Sequence, residues 1–67
     1  MTKIGEFTLF DTTVTLYEDL SNHNIIGRSI YSLAIVGNGT YIKHLGDNKT
    51  SALQEFENQI RKLLEEN

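Results

Sequence analysis

The stretch NKTSALQEFENQIRKLLEE, residues 48–66, decides the fold. Ala52, Leu53, Phe56, Ile60, Leu63 and Leu64 recur at helical spacing and place one apolar stripe on an α-helix. Gln54, Glu55, Glu57, Asn58, Arg61, Lys62 and Glu65 fall on the other side. Asp47 or Asn48 can supply the capping oxygen at the start, and Ser51 with Gln54 also fits a capping box. Such a stripe has to be covered, and within a monomer only the residues before it can do so. The remainder is therefore expected to form a sheet with one face turned to the helix.

Working back from the helix, Ile25 to Val36 and Tyr41 to Leu45 alternate in side-chain character on either side of Asn38-Gly39. Asn-Gly between apolar runs is the strongest short-range hairpin signal, because both central residues of a type I′ turn need positive φ. A β-branched residue at Gly39 is expected to be strained there. The turn pairs Ile35 with Ile42, Val36 with Tyr41, Ala34 with Lys43 and Leu33 with His44. Gly27 marks a bulge, a bend or the true start of this strand. Asp19 to Asn24, with Asn22, His23 and Asn24, reads as a loop.

Further upstream, Lys3–Phe10 and Thr13–Tyr17 alternate with period two and are rich in β-branched and aromatic residues. A two-residue loop at Asp11-Thr12 sets Leu9 opposite Val14 and Phe7 opposite Leu16; lengthening it by an even count keeps the same faces. The order is ββββα. The expected fold is α+β, a four-stranded antiparallel meander with one C-terminal amphipathic helix packed on one face. Residues 1–67 make one small domain.

A 67-residue chain buries only about 60% of its unfolded surface, so its stability is marginal. The usual supplements are disulfides, a metal or oligomerisation. The chain has no cysteine, which removes disulfides and thiolate zinc sites together. Two histidines, His23 and His44, do not build a closed metal site by themselves. Oligomerisation is the supplement left, and a homodimer is expected. The net charge of −3 argues against a mainly electrostatic attachment to nucleic acid or an anionic membrane. No apolar run is long enough to span a bilayer, and the first residues lack a signal-peptide core, so a cytoplasmic location is expected. The sequons at Asn38 and Asn48 are then chance matches.

If Phe7, Leu9, Val14, Leu16, Leu33, Ile35 and Ile42 meet the helix, alternation assigns the opposite face. It carries Ile4, Phe10, Tyr17, Ile30, Ala34, Val36, Tyr41 and Leu45, mixed with Thr8, Thr15, Arg28 and Lys43. A solvated sheet face is usually more polar than this, and a contiguous apolar patch on a small protein marks a contact site. The expected partner-binding residues are Phe10, Tyr17, Arg28, Ile30, Ala34, Val36, Tyr41 and Lys43. Two functions follow from them. In the first, the face binds protein, a second copy or a larger partner that it occludes or tethers, in the manner of phage and mobile-element accessory proteins and inhibitors of host defence. In the second, Phe10, Tyr17 and Tyr41 stack the bases of a single-stranded nucleic acid while Arg28 and Lys43 hold phosphates. Two cations on an acidic chain are a thin supply for that, so protein binding is the leading expectation.

Catalytic chemistry finds no foothold. Gly37 and Gly39 belong to a hairpin rather than a phosphate loop, and no Ser sits in a nucleophile context. His44, at a strand end, reads as a partly buried packing residue, and His23 as a solvated loop residue. Glu18-Asp19 and Glu65-Glu66 are sequence neighbours and read as solvating charge. No catalytic residue, cofactor or metal is expected.

Overall fold

The computed structural model describes residues 2–20 and 30–65. Four antiparallel strands, β1 (Thr2–Leu9), β2 (Thr12–Glu18), β3 (Tyr31–Val36) and β4 (Thr40–Gly46), lie in one open sheet in sequence order. The helix α1 (Lys49–Glu65) packs on one face. The α+β meander expected from the sequence is the fold observed. β3 starts at Tyr31; Ile30 precedes it, and its N–H donates to the Gly46 carbonyl at 3.0 Å, while residues 25–29 of the predicted strand lie outside the described residues. The readings of Gly27 and His23, and most of the predicted loop, lie outside the described residues.

The helix begins where its capping chemistry says. Asn48 Oδ1 accepts the Ser51 N–H at 3.0 Å, and the Asn48 carbonyl accepts from Ala52, so Asn48 is the cap and not Asp47 or Ser51. Leu16 and Leu33, paired across β2 and β3, are fully buried beneath Ala52, and Val14 completes the centre of the core. Phe56 and Leu63 join from the helix, and Ile4, Ile35 and Leu45 from the sheet. Leu53 and Leu64, expected in the buried stripe, are exposed. The helix is rolled between two anchors that leave them outside. On one flank the Phe56 ring lies over Gly5 of β1, and on the other Glu55 reaches Lys43 of β4.

Two registers differ from expectation. In the first hairpin the turn is Phe10-Asp11, with Leu9 opposite Thr12, Phe7 opposite Val14 and Gly5 opposite Leu16. The shift is two residues, so the faces are kept. It puts Gly5, the one residue of β1 without a Cβ, where the Phe56 ring comes down, and it forces Phe10 to φ 55. An L-residue of this bulk at positive φ costs about 1–3 kcal/mol. A bulge between Lys3 and Gly5 then breaks the alternation at Ile4, which packs against the core instead of lying on the uncovered face.

The second hairpin corrects the assignment of faces. Its loop is Gly37-Asn38-Gly39, closed by Val36 opposite Thr40, so Ile35 meets Tyr41, Ala34 meets Ile42, Leu33 meets Lys43 and Ser32 meets His44. The type I′ turn is not formed, since neither Asn38 nor Gly39 has positive φ. One residue of slip turns the whole strand over. Tyr41, Lys43 and Leu45 lie on the helix side, and Ile42 and His44 on the outer side. Lys43 gains an ion pair with Glu55 at 3.2 Å, and His44 Nδ1 a hydrogen bond with Ser32 Oγ at 3.3 Å.

The glycine that a positive φ requires is therefore a different one. Gly46, at the end of β4, has φ 84, and Gly39 does not lie at positive φ and has open space where a Cβ would go. Gly46→Ala is expected to cost about 1–2 kcal/mol, whereas Gly39→Ala should stay within about 0.5 kcal/mol of wild type. Chemical denaturation of the two variants checks this, and equal costs would restore the two-residue turn.

Candidate functional surface

The expected contact residues are not gathered on one face. Phe10 projects from the β1–β2 turn, 75% exposed. Tyr17, Ala34 and Val36 are on the outer face, the first two partly buried and the third exposed. Ile30 belongs to the buried core. Tyr41 and Lys43 are on the helix side of β4, and Arg28 lies outside the described residues. The half-apolar aromatic face is thus divided by the register of β4. Phe10, Tyr17 and Tyr41 lie on three different parts of the surface, the β1–β2 turn, the outer face and the helix side of β4.

Row by row, the outer face reads Thr8–Thr13–Val36–Thr40, then Glu6–Thr15–Ala34–Ile42, then Lys3–Tyr17–Ser32–His44. It is rich in hydroxyls. Thr8 and Thr13 join through their Oγ1 atoms at 3.1 Å, and Lys3 pairs with Glu6 along the β1 edge at 3.2 Å. Thr15 and Ser32, in the central strands, are buried. The apolar part is confined to one corner, where Ala34 sits directly opposite Ile42 and Val36 lies diagonal to it. Tyr41 adjoins that corner from the other side of the strand. Tyr41 and Ile42 are each 59% exposed and Val36 is 46% exposed, all within one hairpin. Sequence reading missed Ile42 as a surface residue, because the two-residue turn pointed it at the helix.

Two titratable side chains, Tyr31 and Glu55, are held by structural partners that shift them. The Tyr31 hydroxyl donates to Glu18 Oε2 at 2.8 Å, and that bond, helped by burial and by the Glu18 charge, raises the tyrosine pKa above its ordinary 10.0. Gln59 Nε2 and Lys43 Nζ both donate to Glu55 Oε1, which lowers the glutamate pKa below its ordinary 4.5 against a small opposing effect of burial. For Tyr31 the raised folded-state pKa means that its stabilisation is complete below the ordinary value and is lost as pH rises through the folded value. Denaturation midpoints measured on either side of pH 10 should therefore fall with pH, and Tyr31→Phe should remove part of that fall. An identical slope in the variant would show that the Glu18 bond is not held in solution.

Ser32 and His44 are the nearest approach to a catalytic pair. Ser32 is buried within the ladder, the contact is through Nδ1 at 3.3 Å, and among the described residues no carboxylate orients the imidazole. His44 itself is exposed and not the partly buried packing residue expected. Among the described residues no three His, Asp or Glu side chains are grouped to hold a metal ion. A shallow depression of about 400 Å³ lies between the two hairpin turns and the helix C-terminus, lined by Leu9, Phe10, Asp11, Asn38 and Leu63 among others. No helix among the described residues is long and apolar enough to cross a membrane. Comparisons with protein-family models, with curated proteins and with solved structures find no match.

Proposed function

We propose that the protein is a non-enzymatic protein-binding module that works through its second hairpin. One observation carries this reading: Val36, Tyr41 and Ile42, three large apolar side chains about half exposed or more, all lie on the β3–β4 hairpin, Val36 and Ile42 on its outer face and Tyr41 on its helix side. Isolated apolar residues on a surface need no explanation, but a cluster on a small acidic domain marks a contact site. The module binds by occluding or tethering a larger chain, by associating with itself, or by both. The cysteine-free composition suits a reducing compartment such as the cytoplasm.

Site-specific photo-crosslinking in cells that produce the protein tests the reading. A benzophenone side chain at residue 36 or 41 should give protein adducts, and the same probe at Gln54 on the helix should not. Tyr41→Asp should abolish the adduct formed from residue 36 while leaving the circular dichroism unchanged, since an exposed site contributes little to the fold. Equal adducts from all three positions would remove the hairpin as a contact surface. Salt-dependent retention of labelled single-stranded DNA or RNA, lost on Lys43→Glu, would instead favour nucleic acid.

A further inference from the structure

We infer that the outer edge of β4 from Thr40 to His44, which no described strand pairs with, joins the β4 edge of a second copy of this chain in an antiparallel register centred on Ile42; this rests on the hairpin being the binding surface. The two edges of the sheet are not alike. An unpaired edge is a template for another strand, and proteins blunt such edges with bulges, charges or short length. β1 carries those devices: the bulge at Ile4, Gly5 beside it, and the Lys3–Glu6 ion pair. β4 does not. From Thr40 to His44 its ladder with β3 is regular, its bulge comes only at Leu45, and all five residues are exposed. Its single charge, Lys43, is drawn over the helix face onto Glu55 at 3.2 Å. What remains along the edge is Thr40, Tyr41, Ile42 and His44.

Self-pairing is favoured by the chemistry of that short segment. A two-fold axis through the Ile42 pair uses all five regular residues. It sets Ile42 against its own copy on the outer face, Thr40 against His44 on the same face, and Tyr41 against Lys43 on the helix side. Every one of those contacts is favourable: an apolar pair, a hydroxyl against an imidazole, and a phenol ring against the alkyl stem of a lysine whose ammonium stays on Glu55. Centring the axis on Lys43 would oppose two like charges, and centring it on Tyr41 would leave His44 beyond the loop. The axis stands perpendicular to the sheet, so the product is one continuous eight-stranded sheet with both helices on the same side. Strand addition supplies main-chain hydrogen bonds, and the alternate side chains supply the register.

Light scattering across a concentration series is the first measurement. The mass should rise from 7.6 kDa toward twice that value. Ile42→Lys should hold the protein at monomer mass with a native circular dichroism spectrum, and Thr8→Lys, the same charge on the same face near the other edge, should dimerise as wild type does. Because the chain has no cysteine, Ile42→Cys introduces a single thiol opposite its own copy, and mild oxidation should give a covalent dimer without relying on the lysine variant. Val36→Cys should not cross-link, since the two β3 strands would stand three strand spacings, about 14 Å, apart. Monomer mass at every concentration would overturn the inference, as would a dimer that survives Ile42→Lys or cross-links equally through residue 36. A strict monomer that still gives partner adducts from residue 36 would overturn self-pairing alone, whereas a monomer with no adducts would remove the binding module as well.

Discussion

Leu16→Ala is expected to abolish cooperative folding. Leu16 is fully buried on the central strand β2, between Gly5 and Leu33, and beneath Ala52 of the helix. Truncating a leucine at such a site removes its transfer free energy and leaves a cavity that a two-layer domain cannot close, at a cost of about 3–4 kcal/mol. A domain of this length has roughly 3–10 kcal/mol in total, so the substitution consumes most or all of it. Thermal unfolding followed by circular dichroism should change from a sigmoid to a gradual slope. A cooperative transition within a few degrees of wild type would mean that the helix does not seal the sheet at this point.

Phe56→Ala comes next, at about 2–4 kcal/mol, because the ring is partly rather than fully buried. Its partner makes the test specific. A Cβ placed on Gly5 would stand 3.0 Å from Cε2 and 3.1 Å from Cζ of Phe56, so Gly5→Ala by itself obliges the ring to give way by a few tenths of an ångström. That should cost about 1 kcal/mol. In the Phe56→Ala background the same methyl meets no ring, fills part of the cavity and stiffens the unfolded chain, so Gly5→Ala should be neutral or stabilising by about 0.5 kcal/mol. The two changes should therefore couple by about 1 kcal/mol or more in a double-mutant cycle. Simple additivity would show that the ring does not rest on β1.

The elements were legible in the sequence because each carries its own period and punctuation. The stripe through Ala52, Phe56 and Leu63 together with the Asn48 cap specifies the helix, and the alternation of Phe7–Leu9 and Val14–Leu16 specifies the first hairpin and its inward face. Those signals are local, and so are the interactions that satisfy them. The order of strands followed from short connections, which leave consecutive strands nowhere to pair but beside one another. Among the proposed contact residues, Ala34 and Val36 were placed on the outer face correctly because β3 keeps its phase.

What the chain's own pattern left undecided was the phase of β4, and with it the surface. Gly37-Asn38-Gly39-Thr40 admits a two-residue or a three-residue loop, and Tyr41-Ile42 is apolar whichever of the two points inward. Partners distant in sequence decide between them: Glu55 holds Lys43 on the helix side, and Ser32 holds His44 on the outer side. The Phe10-Asp11 turn was settled in the same way, since packing the Phe56 ring over Gly5 offsets a strained φ at Phe10 that no local rule favours. Periodicity sets which residues share a face, because alternation is a property of the backbone. Which face is turned to the helix depends on contacts across the sheet, and those exist only once the tertiary structure has formed.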